Sequence, residues 1–147
     1  MKAQVLKIFK NNDDILRKKC QKIDKIDQSI KNLVDNMWAT LLYHGGRGLS
    51  ANQVGYDKRI MIILGKKFKD VLINPEISSK SKKTFSFREG CLSLPNIYKD
   101  IKARNKKIKV SYLSLTSEKK ECTLSNIDSV IFQHELDHLN GILLTDY

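Results

Sequence analysis

Proline is nearly absent from this 147-residue chain, with two residues, and no repeat, linker or low-complexity tract interrupts it. Cysteine is also scarce. Cys20, Cys91 and Cys122 form an odd, widely spaced set, which excludes a disulfide framework and points to a reducing compartment. No apolar run approaches the ~20 residues that a bilayer crossing needs. The opening MKAQVLKIFKNNDD lacks the apolar core and small-residue cleavage site of a secretion signal. Acidic residues are few as well: 16 Asp+Glu against 27 Lys+Arg leaves a net charge of +11. Within that excess arginine is the rare partner, at Arg17, Arg47, Arg59, Arg88 and Arg104 only. Arginine's planar fork is the usual reader of bases and phosphates, and the lysine pairs are scattered with no aromatics interleaved. This excludes a specific nucleic-acid reader. It leaves a solvated surface, or a general attraction to polyanions.

What is present suits one globular domain over 1–147. Hydrophobic residues make up 41% and charged residues 29%, and that length buries roughly two-thirds of the unfolded surface. Val5, Leu6 and Ile8 form a short apolar alternation, and Asp13-Asp14-Ile15-Leu16 reads as a capped helical turn. Ile30, Leu33, Val34, Met37, Trp38, Leu41 and Leu42 predict an amphipathic helix capped by Asp27 or Ser29 and broken at His44-Gly45-Gly46-Arg47-Gly48. Strands are expected at 59–64, at 71–73 with a stop at Asn74-Pro75, and through Phe85 and Phe87. Ile108, Val110 and Tyr112, with Cys122 and Leu124, predict a β-hairpin turning at 116–119. A last helix should carry Ile127, Val130, Ile131, His134 and His138 on one face, with a cap at Ser125 or Asn126 and a stop at Gly141. The fold class is α+β, with mainly antiparallel strands packed around that C-terminal helix.

Three segments carry chemistry. In Gln133-His134-Glu135-Leu136-Asp137-His138, the i, i+4 spacing stacks two imidazoles one turn apart, where both can bind one metal ion, with Glu135 near enough to act as a base. These are two of only three histidines, and the rest of their face is apolar, so partners are needed there. A catalytic centre wants a third ligand and an open position. Cys91, in the shaped loop Arg88-Glu89-Gly90-Cys91-Leu92-Ser93-Leu94-Pro95, is the candidate, with a small buried thiol as the bland alternative. In Gly46-Arg47-Gly48-Leu49-Ser50-Ala51-Asn52-Gln53, the glycines permit close approach of backbone to a ligand, and the Gln53 amide could donate to a carbonyl. An ordinary Gly-rich turn with an exposed amide is the alternative there.

Taken together, GxGLSANQ at 46–53, EGCLS at 89–93 and QHELDH at 133–138 resemble the three ordered signature motifs of the peptide deformylases, and the likeness covers essentially the whole chain. It implies that Cys91, His134 and His138 hold one divalent ion, Fe(II) first and Zn, Ni or Co as substitutes, with water completing a tetrahedron. Glu135 would be the general base and proton shuttle, and Gln53 and the Leu92 backbone N–H would steady the oxyanion. The substrate would be the N-formylmethionyl end of a newly made polypeptide, in the cytoplasm of a bacterium or of a phage host. Gly46, Arg47, Gly48, Phe87, Glu89, Gly90, Ile127, Val130 and Ile131 form the expected substrate-binding set, with ordinary core packing as the alternative for Phe87, Ile127, Val130 and Ile131. Glu89 and Asp137 read as supports for the ligands rather than ligands, and Arg104 or Arg88 could pair with one of them. Arg47, Ser50 and Asn52 depart from the usual aliphatic residue, alanine, and Thr or Pro of that pattern. The chain also looks like the short forms known from some phages, so weak, purely electrostatic ribosome association is expected, with no membrane partner. Two other readings stay open: an HExxH zinc endopeptidase, and a basic ribosome- or RNA-binding module with a structural metal.

Overall fold

The computed structural model describes residues 2–147. Helix α1 (Gln28–His44) starts where Asp27 accepts the Ile30 N–H at 3.2 Å and stops at Gly45, whose φ of 73° suits glycine. Its buried stripe is Ile30, Leu33, Val34, Met37 and Leu41. The expected stripe is corrected at its end, because Leu42 is 63% exposed and Trp38 only half-buried. Twelve residues at 3.6 per turn carry Leu42 about 120° away from Ile30, whereas Leu41 returns to within about 20°.

Five antiparallel strands form the main sheet in the order β1 (Gly48–Ser50), β2 (Ile60–Leu64), β3 (Lys69–Lys80), β6 (Lys107–Leu113), β7 (Lys119–Ser125). The run Ile60-Met61-Ile62-Ile63 is apolar throughout because both its faces are covered. Ile60 and Ile62 join the core under α1, while Met61 and Ile63 join the core under the second helix, α2 (Ile127–Leu139). The β6–β7 hairpin follows its predicted alternation, with Ile108, Val110, Tyr112 and Leu124 inside.

Three expectations need correction. Strand β3 does not stop at Asn74-Pro75: Asn74 takes a φ of 50°, the register slips between Ile73 and Glu76, and the strand continues along β6. The Asn74 amide also bonds both backbone groups of Ile23 at 2.9 Å, which ties the N-terminal segment to this bulge. Phe85 lies outside the third strand, which is β4 (Phe87–Cys91). The 89–95 segment is no free loop, because β4 turns at Leu92-Ser93 into β5 (Leu94–Ile101), a two-stranded sheet of its own. β5 lacks a two-residue period because that small sheet is only partly covered, so the sequence carried no sign of it.

Helix α2 is buried nearly all round, including Asp128, Ser129, Gln133, Glu135 and His138. Each buried polar group must find a partner. Asp128 accepts the backbone N–H groups of Lys66 and Lys67, and Gln133 bonds both backbone groups of Asn105. At the other end the Arg59 guanidinium donates to the Leu139 and Cys20 carbonyls and to Asn140 Oδ1, a cation set at a helix C-terminus. Asn126 occupies the expected cap position with φ 56° but makes no side-chain cap, and Gly141 (φ 75°) ends the helix as expected.

Candidate active site

A cavity of about 430 Å³ opens between β1, the β4–β5 hairpin and α2. The helical spacing sets the first pair, with Nε2 of His134 and Nε2 of His138 3.3 Å apart. The β4–β5 turn delivers the third group, Cys91, whose Sγ lies 3.2 Å from His138 Nε2. All three ligand atoms fall within 4.8 Å of one another, and this is the metal-type cluster found among the described residues. A tetrahedral ion with bonds of about 2.1 Å to nitrogen and 2.3 Å to sulfur separates such ligands by roughly 3.5 Å, so the donor set fits one ion with little movement. With three candidate protein ligands and no fourth among the described residues, it has the open form of a catalytic site, which weighs against the structural-metal reading.

The protonation pattern agrees. Glu89 is 4% exposed and accepts from His134 Nδ1 at 2.9 Å. A carboxylate only accepts, so Nδ1 carries a hydrogen and Nε2 is the nitrogen left for a metal, whose binding would displace the proton there. Arg104 grips Glu89 with two 3.0 Å bonds and also donates to Asp137 at 2.6 Å. Although burial opposes ionisation, His134 and Arg104 hold the Glu89 carboxyl below its ordinary range. Burial works against the imidazolium of His134 too, yet hydrogen bonds to Cys91 and Glu89 and the charge of Glu135 push it up to about 10. That spot favours positive charge, which a metal ion supplies. His138, opposed by burial and by the charges of His134 and Arg104, stays neutral.

Glu135 is 3% exposed and lines the cavity, with Oε1 buried and lacking any hydrogen-bond partner among the described residues. Burial raises its carboxyl to about 7. Gln53 is 2% exposed, so the alternative of an exposed turn amide does not hold. The Ser50 N–H donates to Gln53 Oε1 at 3.0 Å, which fixes the amide orientation and aims Nε2 at Ser93 Oγ (3.1 Å) and Cys91 Sγ (3.6 Å). Asn52 donates to the His138 carbonyl at 2.6 Å, locking the 3₁₀ turn Ala51–Val54 onto α2.

The cavity brings together Gly46, Arg47, Gly48, Gln53, Phe87, Glu89, Gly90, Cys91, Leu92, Val130, Ile131, His134 and Glu135. Ile127 is not among them, which corrects that expectation: seven residues before His134 is about 10.5 Å along the helix, and Ile127 lines a different cavity. Glu89 faces the cavity, but Arg104 and His134 occupy both its oxygens, so it supports a ligand rather than a substrate. The glycine rule is also amended at Gly48, where a Cβ would sit 2.7 Å from Glu135 Oε2: the close approach is to the protein's own carboxylate. Sequence reasoning missed Tyr98 and Arg88 as cavity walls, the Asn52 anchor, and Tyr147, whose hydroxyl bonds Asp137 and Arg104. Tyr98 and Tyr147 carry no local mark, since each acts across the hairpin or from a distant segment, whereas Arg88 and Asn52 sit inside two of the motif segments and only their roles were not legible.

The family model described as polypeptide deformylase matches residues 5–147. Peptide deformylase from Aquifex aeolicus is 40% identical over 140 residues, covering 91% of this chain and 82% of that one. Peptide deformylase 1B, chloroplastic/mitochondrial, from Arabidopsis thaliana is 41% identical over 146 residues, and the chain spans about half (53%) of its length. Among solved structures, a class I type b peptide deformylase from Acinetobacter baumannii superposes with a TM-score of 0.94 at 35% identity, covering 99% of this chain and 100% of that one. Peptide deformylase from Thermotoga maritima gives 0.94 at 36%, covering 97% of each. Sequence and backbone agree over nearly the whole length, and the chain belongs to the polypeptide deformylase family.

Proposed function

We propose that this chain hydrolyses the formyl amide of N-terminal formylmethionine on newly made polypeptides, releasing formate and a free amino terminus. The observation that carries the reading is the open Cys91–His134–His138 cluster beside a buried, unpartnered Glu135 carboxylate in one cavity. A bound divalent ion would supply Lewis-acid polarisation of the carbonyl and make a water acidic enough to ionise near neutral pH. One thiolate and two imidazoles accept Fe(II), Zn, Ni or Co, and Fe(II) is the proposed resident.

The protein's own groups do the rest. Glu135 Oε1 takes the proton of the attacking water and returns it to the leaving amine, and burial keeps that carboxyl near the pH at which both transfers are favourable. Charge then builds on the former carbonyl oxygen. Gln53 Nε2 meets it by giving up its long contact to sulfur while keeping Ser93, and the Leu92 backbone N–H is the second donor. Val130, Ile131 and Phe87 give the unbranched methionine thioether apolar walls, and Gly46 with Gly90 leaves room for the peptide backbone. Arg47 and Arg88 sit at the rim, beside the incoming chain.

The proposed setting is the cytoplasm, near the ribosome, with a net charge of +11 providing a salt-sensitive attraction to ribosomal RNA. No helix among the described residues is long and apolar enough to cross a membrane. Metal analysis of anaerobically purified protein, together with formate release from formyl-Met-Ala-Ser, tests the reading. One ion per chain with formate release is expected. A metal-loaded protein that releases none would overturn it.

A further inference from the structure

A second cavity, of about 420 Å³, lies at the start of α2, away from the metal-type cluster. Its walls are aromatic and apolar, from Phe68, Phe85 and Ile127, and Lys66 and Lys67 stand at its mouth. The chain gathers further lysines beside it. Lys80 pairs with Ile108 across β3 and β6, Ser81 N–H donates to the Lys107 carbonyl, Lys106 N–H to that of Lys83, and Asn126 N–H to that of Lys106. These backbone bonds bring Lys80, Lys82, Lys83, Lys106, Lys107 and Lys109, all exposed, to the same end of the sheet.

Little offsets this charge. The lysine ion pairs among the described residues are Lys22–Glu76 and Lys120–Asp70, which involve none of these side chains. Asp128 is the carboxylate at the cavity, and its oxygens are taken by the Lys66 and Lys67 N–H groups. Glu121 lies opposite Ser111, one pleat beyond Lys109. Lysines that are scattered in sequence are therefore brought to one end of the sheet, where Lys66 and Lys67 line a recess with aromatic walls, Lys106 adjoins it through Asn126, and Lys107 and Lys109, alternating with the buried Ile108, carry the charge onto the outer face. That is the combination used for single-stranded nucleic acid: cations along the phosphates and a π-face for a base.

We propose that this face binds single-stranded RNA without sequence preference, with the lysines on phosphates and one base in the cavity against Phe85. An anionic membrane fits less well, because the exposed large apolar residues, Val5, Leu42, Tyr43, Tyr56, Tyr98, Ile142 and Tyr147, all lie outside this face, while its aromatics are recessed. The two cavities are neighbours. The Phe85 ring stacks on Phe87 at 6.4 Å, and Phe87 is a wall of the active-site cavity, so RNA held here sits next to the catalytic opening. The proposal gives the ribosomal attraction described above a location, and it stands or falls separately from the deformylase chemistry.

Anisotropy of a labelled oligouridylate RNA, titrated with the metal-loaded full chain over a range of KCl concentrations, tests it. Joint replacement Lys82→Gln, Lys83→Gln, Lys106→Gln and Lys107→Gln should weaken low-salt binding at least about tenfold and reduce the salt slope by roughly 3, from about 0.7 per lost phosphate contact. Phe85→Ala should weaken binding by roughly fivefold or more with the slope unchanged, and Phe85→Trp should keep the affinity and show quenched indole emission on RNA. Four lysines elsewhere, replaced as Lys18→Gln, Lys19→Gln, Lys25→Gln and Lys31→Gln, are the control and should leave most of the affinity. Equal losses in both quadruple variants would mean net charge alone and would overturn the proposal. So would indifference to Phe85→Ala, or binding to phosphatidylserine vesicles without binding to the RNA. Formate release from formyl-Met-Ala-Ser should stay unchanged in both quadruple lysine variants, so failure of the RNA face and failure of the deformylase reading are told apart.

Discussion

Glu135 combines burial, a partnerless oxygen and contact with Gly48, so two substitutions probe it from opposite sides. Glu135→Gln removes the proton acceptor and no ligand, so metal content should hold while formate release falls by about 10² or more. Metal analysis and turnover on the same sample check this. Gly48→Ala leaves Glu135 in place but puts a methyl within 3.0 Å of its Cγ and of Ile131 Cγ2. The carboxylate must swing aside, so kcat should drop more than KM rises, with a stability cost of about 1–3 kcal/mol. The thiols divide in the same residue-by-residue way. Burial pushes the Cys20 thiol up to about 11, whereas Cys91 faces the cavity. Air exposure of the Fe(II) form should oxidise Cys91 and spare Cys20, with the Zn form surviving longer, as read by mass spectrometry and residual activity.

At the scale of elements, α2 works because both its ends are tied to other strands of the chain. Asp128 holds the 65–68 turn at its start, and Arg59 closes its end on two carbonyls and Asn140. Arg59→Leu would leave the buried Cys20 carbonyl without its donor, while the Leu139 carbonyl keeps the Cys20 N–H, costing about 1–3 kcal/mol. Urea unfolding should show that loss, while kcat per folded molecule stays near wild type because Arg59 does not line the active-site cavity. The β4–β5 hairpin is held differently. It is a separate two-stranded sheet, and Arg104, just beyond β5, clamps it to α2 through Glu89 and Asp137.

For the molecule as a whole, the three proposed ligands come from two bodies, Cys91 from that hairpin and both histidines from α2. A bound ion therefore joins them, and its binding free energy becomes folding free energy. Chelation should lower Tm and raise hydrogen exchange in 87–101 more than in the central strands β2 and β3. At ligand a thousandfold above Kd the stabilisation is about 4 kcal/mol. Uniform exchange changes across the sheet would argue against a joining role.

Much of the site was legible because its geometry is local. An i, i+4 pair on a helix fixes how far apart His134 and His138 stand before any tertiary contact forms, and the GxGLSANQ, EGCLS and QHELDH segments suggest their chemistry in five to eight residues. The α1 stripe, the β6–β7 hairpin and the Gly45 and Gly141 stops were local too. The clamp of Arg104 on Glu89 and Asp137, closed over by Tyr147, was not, because its bonded pairs are 10 to 43 residues apart and meet only when the hairpin folds back on α2. The same holds for β3 running through Asn74-Pro75, for Ile127 facing the second cavity, and for Lys66 and Phe85 lining that cavity together. Periodicity and motif spacing act through covalent neighbours, so the sequence by itself determined the helices, the hairpin and which residues are the candidates for the reacting groups. Which distant side chains hold those groups in place, and which lysines stand together, depends on chain closure, and only the tertiary structure decided it.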